Sequence, residues 1–300
     1  MWFKNLKIYR LSDKASLSLP DLEAALEKHA FQPGSSQDSQ SSGWMAPRAD
    51  SALAYALNGQ ILLRLHTEKK LLPSTVINQA SRARALDIEE QQGYKPGRKQ
   101  MKEIKEQLTT ELLPRAFVIE HDTAIWIDTT NRWLVIDAAA AAKSDEVMGL
   151  LAKTLTPFPV VPLHVATSPA AAMTQWLVED EAPAGFTIDQ DTELRATGES
   201  RATVRYVRQS IDIDEVRKHV QSGKQCTRLA LTWADRISFV LTENLDIKRI
   251  APLDVLKENQ SLQAANEAEQ FDSDITLMCG ELARLLADLV EALGGEQAKA

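Results

Sequence analysis

The chain is poor in the residues that build specialised chemistry. Two cysteines, Cys226 and Cys279, in 300 residues are too few for a disulfide framework, and a reducing compartment is the natural reading. Neither has a CxxC partner. The five histidines, His29, His66, His121, His164 and His219, stand singly, without HxxxH or HExxH spacing, so no zinc site is expected. GxGxxG, GxxxxGK[ST] and GxSxG are all missing, which removes the usual signatures of dinucleotide binding, phosphate-loop chemistry and hydrolase nucleophiles. No apolar run approaches the ~18 residues needed to cross a bilayer. The start, MWFKNLKIYRL, interleaves Lys4, Lys7 and Arg10 where a signal peptide carries its apolar core. A cytoplasmic setting follows as the expectation, with no membrane partner and no cofactor.

What is there is an ordinary core and an uneven distribution of charge. Hydrophobic residues make up 44% and the formal net charge is −8. Residues 64–117 nevertheless hold eleven basic against seven acidic side chains. Residues 195–236 hold nine against five, whereas residues 241–300 hold five against twelve. Exposed charges are screened beyond roughly 8–10 Å at physiological salt. An acidic protein that gathers its cations locally can therefore still bind a polyanion.

Periodicity predicts a mixture of helices and strands without regular βαβ alternation, which is α+β. A strand over residues 2–11 precedes a helix in SLPDLEAALEKH, with Pro20 in its first turn. PGSSQDSQSSG, residues 33–43, reads as a polar loop. Asn58-Gly59 between alternating apolar runs signals a hairpin. Helices over about 74–92 and 98–112, broken by GYKPG, form a basic helical hairpin, with Val76, Ile77, Ala80 and Ala83 on the inward face of the first. FVIEH, TAIWID and RWLVID are strands, and SDEVMGLLAKTL is a helix with Ser144 as its cap. The proline-rich TPFPVVPL is a connector, and Ser168-Pro169 opens another helix. ATVRYVRQSI is a strand, CTRLALTW, RISFVL and DIKRI (within residues 226–250) form a meander, and the last helix carries Ile275, Met278, Leu282, Leu285, Leu289 and Leu293 on one stripe. That stripe suits either core packing or a contact between subunits. The expected parts are residues 1–72, 73–113, 114–163 and 164–300. No internal repeat is evident.

Two acidic groups, Asp212 with Asp214 and Glu215, and Asp272 with Asp274, could hold Mg²⁺. Both fall at expected helix starts, where capping and the helix dipole also favour acids. Arg201, Arg205, Tyr206, Arg208 and Gln209 form a different mixture. In one continuous strand Arg201 and Arg205 would share a face, with Tyr206 and Arg208 on the other. Arg, Gln and an aromatic suit phosphate and sugar contact. LLPRAF, residues 112–117, sets Arg115 and Phe117 just after a helix-ending Pro114, a combination fit for anchoring another chain.

The blocks WFKNLKIYRLS, AFQPGSSQD, NGQILL, LLPSTVI, LLPRAF, WIDT, PVVPL, LALTW and FDSDITLMCGELARLLADLVEALGGE occur in order from one end to the other. In them the sequence resembles the RdgC family of recombination-associated proteins of proteobacteria. The resemblance implies a non-enzymatic, nucleoid-associated DNA-binding protein whose horseshoe-shaped subunits close in pairs into a ring around duplex DNA. It implies little sequence preference and restraint of RecA-mediated recombination. It places Phe117 at a contact that closes the homodimer, and Arg208 and Gln209 at positions tied to DNA binding, although Val207-Arg208 stands where a basic pair is expected. The cations expected to serve DNA are then Arg82, Arg84, Lys95, Arg98, Lys99, Lys102, Arg115, Arg201, Arg205 and Arg208. Duplex DNA is the expected partner, with single-stranded DNA a further candidate. The alternatives are a metal-dependent DNA-processing enzyme built on the acidic clusters and a protein-interaction adaptor that touches no DNA.

Overall fold

The strand Leu6–Leu11 (β1) becomes the middle of a sheet that draws on most of the chain. The computed structural model describes residues 2–12, 18–209, 212–258 and 266–297, and they form an α+β fold. After β1 come α1 (Leu19–Glu27), β2 (Gln40–Met45), β3 (Tyr55–Leu57), β4 (Gln60–Leu71), α2 (Ser74–Gln92) and α3 (Arg98–Leu112). A 3-10 turn at Leu113–Arg115 leads to β5 (Phe117–Asp128), β6 (Trp133–Asp137), α4 (Ala141–Thr154) and β7 (Val160–Pro162). Then follow α5 (Pro169–Glu179), β8 (Phe186–Ala196), β9 (Thr203–Tyr206) and α6 (Ile213–Gln221). The chain continues through β10 (Lys224–Trp233), β11 (Ile237–Thr242), β12 (Ile247–Pro252), α7 (Asp254–Glu258) and α8 (Glu267–Ala292). The sheet order is β2-β4-β5-β6-β1-β12-β11-β10-β8-β9, with β3 added to β4 and β7 to β1.

This order runs in a similar way on the two sides of β1. On one side of β1 the chain runs α1-β2-β4-β5-β6-α4, and on the other α5-β8-β10-β11-β12-α8. Both β6 and β12 are antiparallel to β1. The helices of the two halves pack on opposite faces. Leu22 and Leu26 of α1 and Val147 and Leu151 of α4 join Ile61, Leu63, Ile125, Ile127, Leu134 and Ile136 in one cluster. Met173 and Trp176 of α5 and Leu282, Leu285 and Leu289 of α8 join Leu229, Leu231, Phe239, Leu241 and Ile247 in the other. The strand order is thus alike on the two sides of β1, although β1 pairs with β6 at five positions and with β12 at Leu6–Ile247. The α1–α4 cluster does not extend over β10–β12, so that face of the C-terminal half is left without a helical layer.

Most local signals act as expected. Ser18 and Ser168 cap α1 and α5 through Asp21 N–H and Ala171 N–H. Asn58 and Gly59 take φ of 50° and 79° in the β3–β4 hairpin, the left-handed pair such a turn needs. Gly93, at φ 79°, stops α2. The Leu stripe of α8 is buried inside its own chain, with Leu282, Leu285 and Leu293 fully covered. That settles the stripe as core and removes it as a subunit contact.

Three local expectations are corrected. The end of the polar loop is strand: Gln40–Met45 pairs with Arg64–Lys69 of β4. Gly43 permits this, because a Cβ there would lie 2.4 Å from the Cα of Phe31, whose segment is hydrogen-bonded to the strand through Phe31 N–H and Trp44 C=O at 2.8 Å. Ser144 is not a cap but sits buried inside α4, its hydroxyl donating to Ala141 C=O at 2.8 Å. The inward face of α2 is shifted, because Val76 and Ala83 are exposed and only Ser81 is fully buried. That helix rests mainly on α3, whose fully buried side chain is Ile104, and so it reads as helical for reasons other than a broad apolar stripe.

Candidate nucleic-acid interface

The two basic blocks come to the two ends of the sheet. The helical hairpin α2–α3 interrupts the long ribbon β4–β5, near one edge, while β9 is the opposite edge strand. From β5 to β9 is seven strand spacings, roughly 34 Å along an untwisted sheet.

On the hairpin Arg82 and Arg84 stand exposed on α2, Lys95 in the connecting turn, and Arg98, Lys99 and Lys102 exposed on α3. Lys102 lies 3.7 Å from Glu106, with both side chains mostly in solvent, a pairing that neutralises little. Tyr94, 63% exposed, tops the turn. Arg115 lies exposed on the 3-10 turn that follows Leu112. Pro114 takes part in that turn, so the chain leaves the helix sharply and enters β5 at Phe117.

Phe117 is 83% exposed and pairs across the ribbon with Leu71. Leu71, Val118 and Ile119 are about half exposed. A ribbon end carrying four exposed apolar side chains is unusual for a lone subunit. Sequence reading singled out Phe117 and placed Val118 and Ile119 only in a strand, without a surface role. The signal was the twelve-residue register of β4 with β5, which carries the ribbon past the core. At the ribbon base His66 Nδ1 lies 2.6 Å from Asp122, and Phe31 meets the His66 ring edge-on at 4.5 Å.

The second block is less regular than one strand. β9 covers only Thr203–Tyr206, while Arg201 and Arg208 lie outside it with φ of 44° and 52°. Ser210 and Ile211, the expected end of the strand, lie outside the described residues. Arg201, Arg205, Arg208 and Gln209 are exposed. Tyr206 is buried and its hydroxyl lies 3.3 Å from Glu215, so it faces the core and does not offer a ring to a sugar. Arg205 donates to Glu193 at 2.6 Å, and Arg195 reaches the other Glu193 oxygen at 2.8 Å. Burial alone would raise the Glu193 carboxyl; hydrogen bonds from Thr227, Arg205 and Arg195 outweigh it and hold the group below the usual carboxylate range.

The acidic clusters have structural employment. Asp212 caps α6, accepting from Asp214 and Glu215 N–H. Asp272 and Asp274 lie inside α8 rather than at its start, which Asn266 caps. Asp272 accepts a hydrogen bond from Tyr55 and lies 3.5 Å from Arg48, and Asp274 accepts from Gln270 at 2.8 Å. Among the described residues no group of three or more His, Cys, Asp or Glu side chains is placed to hold a metal ion. Burial pushes the thiols of Cys226 and Cys279 up to about 12, so neither is a ready nucleophile near neutral pH. No helix among the described residues is long and apolar enough to cross a membrane.

The sequence matches, over residues 1–296, the family described as "Putative exonuclease, RdgC". It is 67% identical over 297 residues to the recombination-associated protein RdgC of Bordetella parapertussis, covering 99% of each chain. It is 62% identical over 299 residues to that of Herminiimonas arsenicoxydans, covering the whole of both. The corresponding protein of Cupriavidus necator is 60% identical over 297 residues, 99% of each chain. Similarity of this level from end to end leaves one conclusion: the chain belongs to the RdgC family.

Proposed function

We propose that this protein binds duplex DNA without reading its sequence, as a homodimer closed into a ring, and that it restrains RecA-mediated recombination by occupying the same DNA. The observation that carries the reading is the placement of charge and apolar surface in one subunit. Exposed cations sit at both ends of the sheet in a chain of net charge −8, and an exposed apolar ribbon end adjoins one of them. Phosphate attraction needs only cations and counterion release. Two copies related by a two-fold axis would need self-complementary contacts, and the Phe117 ribbon end supplies a surface for one of them. Horseshoe-like subunits joined this way hold DNA by enclosure, so a strong base-reading contact is unnecessary. The names of the relatives, recombination-associated proteins, accord with such a role on DNA. A position on the nucleoid follows from it.

No chemical step is needed. The family description nevertheless raises a nuclease, and the two readings separate in one experiment. Purified protein is titrated onto random-sequence duplex across a salt series, and in parallel incubated with supercoiled plasmid and Mg²⁺ or Mn²⁺. The binding reading expects affinity that falls steeply with salt for every sequence, and intact plasmid. Nicking or end-degradation that follows the protein through purification would replace it with an enzyme, and salt-independent or absent DNA binding would favour an adaptor.

A further inference from the structure

We propose that the uncovered face of the C-terminal half-sheet holds a built phosphodiester site, formed by Arg228 and Arg249 together with Arg205 and Arg208 and organised by Asp191 and Glu193. The proposal rests on the duplex-binding reading above and extends it to two arginines on β10 and β12 that the sequence did not single out.

The site exists because the sheet is irregular here. Ile188 and Thr192 of β8 pair with Leu231 and Leu229, so three residues, 189–191, face the single residue Ala230. The extra chain length swells β8 locally. On β12, Ser238 pairs with Ala251 and Val240 with Lys248, so Arg249 and Ile250 together face Phe239. Such bulges re-aim side chains. Ile247 and Ile250 both enter the core, and Arg249, at φ 55°, is turned outward between them. Arg208 on the far side is also left-handed, at φ 52°. Two non-glycine residues in that sparsely populated region, both meeting one carboxylate, mark local strain held by the surrounding structure. The carboxylate is Asp191. Its Oδ1 accepts the backbone N–H of Arg208 at 2.8 Å, and its Oδ2 lies 3.8 Å from Arg249 Nη1.

The charges do not cancel. Glu193 is engaged by Arg195, Arg205 and Thr227, and Asp189 accepts from the Thr232 hydroxyl at 2.9 Å. Arg228, which pairs in register with Glu193, has no side-chain hydrogen bond or ion pair among the described residues. Among the described residues the Arg249 guanidinium keeps only the long contact to Asp191, and its side chain is 68% exposed. Arg205, Arg228 and Arg249 with Asp191 and Glu193 line a depression of about 140 Å³. Beside it, Arg208 and Arg249, facing Asp189 and Asp191, border with Ala230 and Ser238 a wider one of about 580 Å³. Its floor is small side chains, and no aromatic ring stands there for a base to stack on except Phe239, whose side chain is buried. A shallow trough in which Arg205, Arg208, Arg228 and Arg249 outnumber Asp189, Asp191 and Glu193, with the Arg228 guanidinium left over, fits the singly charged, repeating phosphates of a nucleic-acid backbone.

The test uses the full-length protein and a random 30-base-pair duplex, with binding followed by fluorescence anisotropy over a salt series. Each lost phosphate contact should lower the log–log salt slope by about 0.9. Arg249→Gln, at an exposed position where folding is not at stake, should lower the slope by about one contact. Arg228→Ala with Arg249→Ala should lower it by about two and weaken binding on the order of 10-fold or more at low salt. Arg228→Lys with Arg249→Lys should restore the slope. Parental binding with an unchanged slope in Arg249→Gln and in the double alanine variant overturns this site and leaves the duplex-binding reading standing. A parent that shows no salt-dependent duplex binding removes both.

Discussion

Replacing Phe117 with serine separates fold from assembly. In the isolated subunit the ring is 83% exposed, so its loss removes little buried surface. Unfolding free energy should change by less than about 0.5 kcal/mol, as for other exposed positions. Burying a phenylalanine is worth about 1.5–3 kcal/mol. A two-fold contact buries two copies, so the variant should weaken that contact by about 3–6 kcal/mol, a change on the order of 10²- to 10⁴-fold in its dissociation constant. Urea unfolding measures the first quantity. Sedimentation equilibrium across a concentration series measures the second, with Leu71→Ser as a companion because the two side chains pair across the ribbon. The reasoning fails if association is unchanged in a folded variant. It also fails if the subunit itself loses more than about 2 kcal/mol, since Phe117 would then be holding the fold.

Further outcomes follow from the packing. Leu282→Ala, at a fully buried position of α8, should cost about 2–5 kcal/mol in chemical denaturation. Gly43→Ala should destabilise strongly and lower the melting temperature, because its Cβ would meet the Phe31 backbone at 2.4–2.6 Å; a neutral result would mean that Phe31 does not press against β2. Asp212→Ala removes the α6 cap and should cost about 1 kcal/mol. The Glu193 carboxyl binds its proton less readily in the folded chain than in the unfolded one. Its stabilisation is therefore present above the unfolded carboxylate value and fades as pH falls through the folded value. Glu193→Gln should flatten the acid limb of the stability–pH profile, and an unaltered limb would remove that carboxylate from the account.

The hairpins and helix ends were legible because their causes are local. Asn58-Gly59, Ser168-Pro169 and Gly93 each set backbone geometry within a few residues. The α8 stripe was legible as apolar, but its partner was not, since a core and an interface ask for the same spacing. β2 was hidden because Gln40, Ser41 and Ser42 are polar and pair through their backbone with β4. The likeness of strand order on the two sides of β1 was hidden for another reason: the insertions α2–α3 and β9–α6 fall at different places in the two halves. Among the site residues, exposed cations on the helical hairpin could be read from their spacing. The aim of Arg249 could not, because it depends on a bulge opposite Phe239. Tyr206 was misassigned because the strand is only four residues long, and its face is set by core packing rather than by the flanking arginines.

The central claim is enclosure of the double helix by a closed pair of subunits, and retention on DNA of different topology measures it most directly. Protein is loaded at low salt onto the same plasmid as a relaxed closed circle and as a linear molecule, and the salt is then raised. Enclosure predicts that a fraction persists on the circle after linear molecules have been cleared, and that Phe117→Ser abolishes the difference. Equal loss from both forms at every salt concentration would contradict it.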